Sequence, residues 1–256
     1  MRYAVAGAAL LPFAAAGAMA FFERAFFWKL IVIAILNTLT SVWLTLGLEY
    51  VTPAESAMLY YTAPLWTAIL AAIILREKAT FLRVSGTIVG FAGIFAFFIL
   101  GTSGAVILGF GAMFTLIGAV SWAVGTVLFR KVMLGTRPVD SSAAQFLIGA
   151  AIMISVSLLL EKERPVVLNS DYWVYLIYAG LISTALGFGV IWFNLLNRVE
   201  ASSLSAFSFL TPMFAVFFSF LITGEVINPV QIGGALLVFA GIYLANKGSN
   251  VKRTNL

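Results

Sequence analysis

The chain has 256 residues, of which 62% are hydrophobic and 10% are charged, with a net charge of +5 and a mean hydropathy of +1.06. A soluble domain carries about a quarter charged residues, so this composition excludes a water-soluble globular protein and predicts a membrane protein. The absence of cysteine and histidine from the sequence excludes disulfides, thiol catalysis and the usual zinc sites.

Nine apolar runs of about 17–25 residues have the length that a helix needs to cross a bilayer. In chain order they are residues 3–22, 26–48, 54–75, 81–100, 105–129, 142–160, 172–197, 201–223 and 229–245. The loops between them are short, and such continuous runs exclude the alternating strands of a membrane barrel. The sequence therefore predicts an all-α membrane protein, a polytopic helical bundle surrounded by lipid.

The first run permits a second interpretation. The segment MRYAVAGAALLPFAAAGAMA has a basic start, a short apolar stretch and an Ala18-Met19-Ala20 end. These features are typical of a cleaved secretory signal. The internal repeat described below favours a membrane span at this position.

Lysine and arginine are distributed unequally between the two sides of the predicted bundle. One side carries three of them, and the other carries twelve: Arg24, Lys29, Arg76, Lys78, Arg83, Arg130, Lys131, Arg137, Arg198, Lys247, Lys252 and Arg253. The positive-inside rule makes the second side cytoplasmic, together with the C-terminal tail at 247–256, and predicts an integral protein of the cell membrane. Because these cations form short clusters between apolar runs, we expect no nucleic-acid partner.

The sequence contains an internal duplication with an offset of 148 residues. The matched pairs include Pro64 with Pro212, Glu77 with Glu225, Gly86 with Gly234, and FAGI at 91–94 with FAGI at 239–242. Matches at proline and glutamate carry weight because the chain has only 7 prolines and 10 acidic residues. We therefore predict two repeats, residues 1–100 and 105–246.

The charges indicate that the two repeats have opposite orientations. Arg76, Lys78 and Arg83 surround Glu77, whereas the loop at Glu225 has no lysine or arginine. Equivalent loops then lie on opposite sides of the membrane, which is the inverted topology of many secondary transporters. Inversion requires an odd number of spans per repeat. The second repeat has five and the first has four. Either a first helix is encoded upstream of Met1 or this protein has lost it, and we expect the upstream helix.

The paired prolines predict helix kinks, and the paired glutamates predict contacts within turns. Pro64 and Pro212 lie within spans, where each removes a backbone hydrogen bond and kinks its helix. Paired kinks would open a cavity near the bilayer centre, although proline is also merely tolerated in membrane helices. Glu77 and Glu225 each follow the last apolar residue of a span. We expect structural roles for them in their turns, with Thr80 as the next N-cap.

These residues resemble the EamA family of the drug/metabolite transporter superfamily. The resemblance rests on AP…ILREKAT…GTIVGFAGIF and TP…LITGEVINPVQIGGALLVFAGIYLA, and it extends over essentially the whole chain. It implies ten helices in two inverted halves around a central cavity, and the export or exchange of small metabolites such as amino acids. The nine visible spans depart from that plan by one helix.

Polar and aromatic side chains within spans are the candidates for binding a solute, since polar groups in lipid are costly and face an interior. The candidates are Asn37, Trp43, Tyr60, Tyr61, Trp66, Trp122, Gln145, Trp192, Asn194, Ser205 and Ser208. Some of these residue types also mediate helix contacts or lie at the membrane interface. No acidic or basic residue lies in the middle of a predicted span, so proton coupling is not indicated.

The sequence thus predicts a secondary transporter of a small-molecule substrate that works by alternating access. A channel-like protein or a membrane scaffold is the alternative, but no charge ring or filter loop supports it. We expect no enzyme activity, no catalytic residue, no metal and no cofactor, because the chain lacks the residues for acid–base or metal chemistry. The motif at Gly86 and Gly90 weakly favours a homodimer.

Overall fold

The computed structural model describes residues 1–14, 24–100, 109–134, 136–160, 168–223 and 228–247. All regular structure in these ranges is helical. The α-helices are α1 Arg2–Ala14, α2 Arg24–Gly47, α3 Pro53–Tyr60, α4 Ala63–Leu70, α5 Phe81–Phe95, α6 Phe110–Met133, α7 Pro138–Leu160, α8 Ser170–Ile177, α9 Phe193–Arg198, α10 Ala201–Ala206, α11 Leu210–Thr223 and α12 Pro229–Lys247. Three π-helical segments, Ala71–Leu75, Ala96–Leu100 and Tyr178–Trp192, extend or join them.

Within the described ranges, eight helical stretches are long and apolar enough to cross a membrane. They correspond to the second to ninth predicted spans, and they confirm the polytopic helical bundle. The first predicted span contains α1, which is apolar but has only 13 residues. The rest of that span, residues 15–22, lies outside the described residues, as do 105–108 of the fifth.

Two spans are interrupted immediately before the paired prolines. Between α3 and α4 the chain turns at Tyr61 and Thr62, and the Thr62 hydroxyl donates to the carbonyl of Leu59 at 2.7 Å. Between α10 and α11, residues Phe207–Phe209 form a single 3-10 turn. Proline has no N–H for the carbonyl four residues earlier, so the α-helical hydrogen-bond pattern fails one turn before Pro64 and Pro212.

The chain divides into two compact units. Unit 1 comprises Met1–Val42 and Leu128–Arg198, and unit 2 comprises Trp43–Val127 and Val199–Leu256. In unit 1, α1 packs antiparallel to α7: Tyr3 stacks on Phe146 with ring centroids 5.8 Å apart, while Arg137 donates to the carbonyl of Phe13. Ala6, Leu10 and Ala14 of α1 complete this small core.

In unit 2, α5 packs antiparallel to α12 along a face of glycines. These helices are repeat equivalents, since 81 plus 148 is 229. A Cβ at Gly86 would lie 2.7 Å from the carbonyl oxygen of Gly241, and one at Gly93 would lie 2.7 Å from that of Gly234. The two contacts exchange under the offset of 148, as a pseudo-two-fold relation requires. Close backbone approach therefore explains these glycines, and α12 of the same chain covers the face that had favoured a homodimer.

Candidate functional site

The buried polar groups of unit 1 meet between α2 and α7. The Asn37 amide Nδ2 donates to Gln145 Oε1 at 2.9 Å, and Gln145 Nε2 donates to the carbonyl of Ser141 at 3.2 Å. Gln145 is only 3% exposed. Close approach of the helices permits this pairing, because Gly149 on α7 leaves space that the Thr38 hydroxyl occupies. Two of the predicted site residues are thus brought together.

The Asn37 amide also presents an acceptor that the described part of the chain does not use. Its Oδ1 atom is buried, and no described residue donates a hydrogen bond to it. An amide oxygen that is left unpaired in a buried position costs about 1–3 kcal/mol. The chemistry of such an atom suits a donor such as an ammonium or an amide N–H.

A cation and two hydroxyls extend this network toward the start of α1. Arg2 Nη2 donates to the Ser41 hydroxyl at 2.7 Å, and the Tyr3 and Ser41 hydroxyls are 2.8 Å apart. The Tyr3 hydroxyl also lies 3.5 Å from the carbonyl oxygen of Asn37. Arg2 lies over the Tyr3 ring, 5.2 Å from its centroid. The arrangement places a guanidinium, which favours carboxylates, and the open amide oxygen of Asn37 in one connected polar cluster.

Tyr60 and Tyr61 lie at the helix break of unit 2. Their ring centroids are 6.1 Å apart, and the Tyr61 side chain forms a hydrogen bond with Thr211. Pro64 and Pro212, one residue beyond Thr211, are buried. Tyr61 therefore joins the break before Pro64 to the start of α11.

Three other predicted residues use their polar atoms within their own helices. Ser205 donates to the carbonyl of Ser202 at 3.1 Å, and Ser208 donates to that of Ser205 at 2.5 Å. The Asn194 amide oxygen accepts from Arg198 at 3.0 Å, near the end of α9. Serine hydroxyls commonly back-bond to helix carbonyls in this way.

The four predicted tryptophans have different surroundings. Trp43 stacks on Phe114 with ring centroids 5.6 Å apart. Trp66 is 39% exposed on unit 2. Trp122 is partly buried, and Trp192, also partly buried, packs edge-on against Phe188 at 6.3 Å.

Glu77 forms contacts far beyond its own turn. One of its carboxylate oxygens accepts from the backbone N–H of Ala201 at 2.8 Å, and the other accepts from the backbone N–H of Ser202 at 3.3 Å and from the Ser202 hydroxyl. It thus caps the N-terminus of α10, and Arg83 forms ion pairs with both Glu77 and Glu200. Thr80 accepts from the N–H of Arg83, as the sequence predicted for an N-cap. Glu225 lies outside the described residues. The described residues contain no cluster of side chains that could hold a metal ion.

Sequence reasoning missed three residues of these clusters: Arg2, Tyr3 and Arg83. Both arginines were counted only as loop charges that define a side of the membrane. Arg83 lies within the first turn of α5, and its spacing from Glu77 was the available signal for an ion pair. Nothing in the sequence signalled that Arg2 and Tyr3 meet Ser41.

Comparisons with known proteins agree with this architecture. The EamA-like transporter family matches residues 1–99 and 109–247. A protein of Acidianus ambivalens named "Uncharacterized transporter in sor 3'region" is 31% identical over 100% of this chain and 95% of its own length. A "Probable amino-acid metabolite efflux pump" of Salmonella typhimurium is 29% identical over 81% of this chain and 72% of its own. A solved crystal structure superposes with a TM-score of 0.84 at 18% identity, over 99% of this chain and 87% of that one.

Proposed function

We propose that this chain, which belongs to the EamA-like transporter family, exports or exchanges amino acids or related small metabolites by alternating access. The family and the eight apolar spans in the described residues make the protein an integral membrane transporter. Both relatives described above are named as a transporter or an efflux pump. The proposal adds the class of substrate, the binding groups and the mechanism.

The amide oxygen of Asn37, which accepts no hydrogen bond from the described residues, and its connection to Arg2 support the substrate class. An α-amino acid presents an ammonium, which donates hydrogen bonds, and a carboxylate, which accepts them. Asn37 Oδ1 is a buried acceptor without a donor among the described residues, and the Arg2 guanidinium is a donor for a carboxylate. The polar cluster of unit 1 therefore offers one group for each end of a zwitterion.

Two further observations support the proposal. The Salmonella typhimurium relative is named "Probable amino-acid metabolite efflux pump". In addition, α5 and α12 are antiparallel repeat equivalents, and inverted repeats are the structural basis of alternating access in many secondary transporters. The helix breaks before Pro64 and Pro212 are suited to changes of helix direction during such a cycle.

The unequal distribution of lysine and arginine supports a location in the cell membrane with the C-terminus in the cytoplasm. With that orientation the exported solute enters from the side that carries Arg130, Lys131 and Arg198. The lipid bilayer and the small-molecule substrate are the partners that the proposal requires.

The test is counterflow in proteoliposomes that contain the purified protein. Vesicles preloaded with one amino acid are diluted into a trace of the same labelled amino acid, and a panel of amino acids and small organic acids is compared. A carrier gives transient accumulation of label and saturable uptake, whereas a channel gives neither. Failure of every amino acid in the panel, with folded protein in the vesicles, would refute the substrate class.

Variants at Asn37 test the binding groups separately from folding. The apparent affinity of the wild type for an amino acid should exceed that for the corresponding des-amino acid by about tenfold or more. The analogue leaves the Asn37 oxygen without a donor, which costs binding free energy. Asn37→Ala should reduce this ratio toward one, because both solutes then lack the acceptor. Asn246→Ala is the matched control, since Asn246 only donates to the carbonyl of Ile242 in α12. Arg2→Gln should instead reduce discrimination between an amino acid and its amine.

A further inference from the structure

A cavity of about 370 Å³ lies between α4 and α5 in unit 2. Its walls are aliphatic side chains, including Ile69, Ile73 and Ile88, and Ile73 is 70% exposed. The cavity is thus a groove that opens on the surface of a membrane-spanning segment. Its size falls within the range of about 300–1,000 Å³ that small-ligand pockets occupy.

One end of this groove is charged. Arg83, Glu77 and Lys78 line it. Arg83 is only 2% exposed, and its Nη2 pairs with Glu200. No described residue accepts a hydrogen bond from its Nε or Nη1, and Nη1 lies 3.8 Å from Glu77, beyond hydrogen-bonding distance. A guanidinium with unused donors at the end of an apolar groove is available to donate to an acceptor that a ligand brings.

The charge of this end favours an anion. Both carboxylate oxygens of Glu77 already accept hydrogen bonds from the start of α10. The exposed side chains of Arg76 and Lys78 add two positive charges beside them. Arg83 is paired with Glu77 and Glu200, and the charges of its neighbours in sequence, Arg76 and Lys78, bring the formal charge of these five side chains to +1.

We propose that this groove binds an anionic phospholipid, with an acyl chain along Ile69, Ile73 and Ile88 and the phosphate at Arg83 and Lys78. The exposed isoleucines of a membrane span face lipid more readily than a water-soluble ligand. The charged end also lies on the side that the lysine and arginine distribution assigns to the cytoplasm, where anionic lipids are enriched. The site is separate from the polar cluster of unit 1 and does not depend on the transported substrate.

The experiment titrates the purified protein in a neutral detergent with dioleoyl phosphatidylglycerol or dioleoyl phosphatidylcholine, and measures thermal unfolding and bound lipid by native mass spectrometry. We expect phosphatidylglycerol alone to raise the unfolding temperature and to remain bound. Lys78→Gln should raise the phosphatidylglycerol concentration needed for half-saturation about fivefold, as expected for the loss of one cation near a lipid surface. Lys131→Gln, an exposed lysine outside the groove, should leave it unchanged.

Ala68→Trp tests the apolar part of the groove. Ala68 lines the cavity and is partly buried, so a tryptophan there should fill it and abolish phosphatidylglycerol binding while the charged end stays intact. Sodium phosphate at the same concentration should give no stabilisation. Any of three results would overturn the proposal. They are equal effects of the two lipids, full phosphatidylglycerol binding by both Lys78→Gln and Ala68→Trp, and equal stabilisation by phosphate alone.

Discussion

Replacement of Gly241 by alanine should separate α5 from α12 and destabilise unit 2. A Cβ at Gly241 would lie 2.3 Å from the backbone nitrogen of Gly90 and 2.6 Å from the carbonyl oxygen of Gly86. These are backbone atoms of a facing helix, so no side-chain rotation relieves the overlap. Cβ contacts shorter than 3.0 Å essentially never occur and ordinary contact begins at 3.4 Å, so the helices must separate locally by about 0.7–1.1 Å from the 2.3 Å approach.

The expected cost follows from this displacement. A gap of 0.5–1 Å forfeits a quarter to a half of each van der Waals contact across the interface. Forcing one extra methyl into a packed interface typically costs about 1–3 kcal/mol. For a chain of this size that corresponds to a decrease of roughly 2–12 °C in unfolding temperature.

The matched control lies on the same helix. A Cβ at Gly233 would have no atom within 4 Å, so Gly233→Ala should leave stability unchanged or raise it by up to about 1 kcal/mol through helix propensity. Unfolding is followed in detergent by intrinsic fluorescence and by the fraction that elutes as a single species. The double variant Gly86→Ala and Gly241→Ala should cost less than the sum of its parts, because the first substitution already opens the shared contact. Equal unfolding temperatures for Gly241→Ala and Gly233→Ala would refute the close packing of α5 on α12.

Three other predictions address the cap, the helix break and the orientation. Glu77→Gln should lower stability by about 1.5–3 kcal/mol through its charge-assisted bonds to α10, whereas Glu55→Gln, in the exposed capping box of α3, should cost less than about 1 kcal/mol in the same unfolding assay. Tyr60→Ala should reduce initial uptake per folded protein much more than it reduces stability. If Tyr60→Ala transports normally while Glu77→Gln folds but does not transport, the functional site lies at the turn that contains Glu77. A reporter fused after Leu256 should be active only in the cytoplasm, and activity on the outer side alone would contradict the assigned orientation.

The membrane spans and the relation between repeats were predictable because both depend on the order of residues along the chain, through the length of apolar runs and a constant offset between similar segments. Apolar length alone identifies a helix in lipid, since the backbone has no other way to satisfy its hydrogen bonds there. The offset of 148 residues paired Gly86 with Gly234 and Gly93 with Gly241, and the structure brings these glycines into antiparallel contact. Composition and periodicity were sufficient for that part of the fold.

The polar contacts were less predictable, because each depends on which faces of distant helices meet. Asn37 and Gln145 were both selected as polar residues within spans, yet their hydrogen bond joins positions 108 residues apart. Arg2 was assigned to a loop because a charge at the end of a span usually lies in water. Ser205 and Ser208 were selected for their hydroxyls, which back-bond to their own helix instead. The sequence identifies polar side chains but does not distinguish one that serves its own helix from one that faces a neighbour.

The two equivalent helix starts, α3 at Pro53 and α10 at Ala201, are completed in different ways, and this difference affects the order in which the chain assembles. The start of α3 is capped locally, since Thr52 and Glu55 exchange hydrogen bonds within one turn. The start of α10 is capped by Glu77, which precedes Ala201 by 124 residues. During synthesis Glu77 is therefore already in the membrane when α10 emerges. The first repeat forms its helix start alone, and the second completes its own only by docking against a first repeat that is already in place.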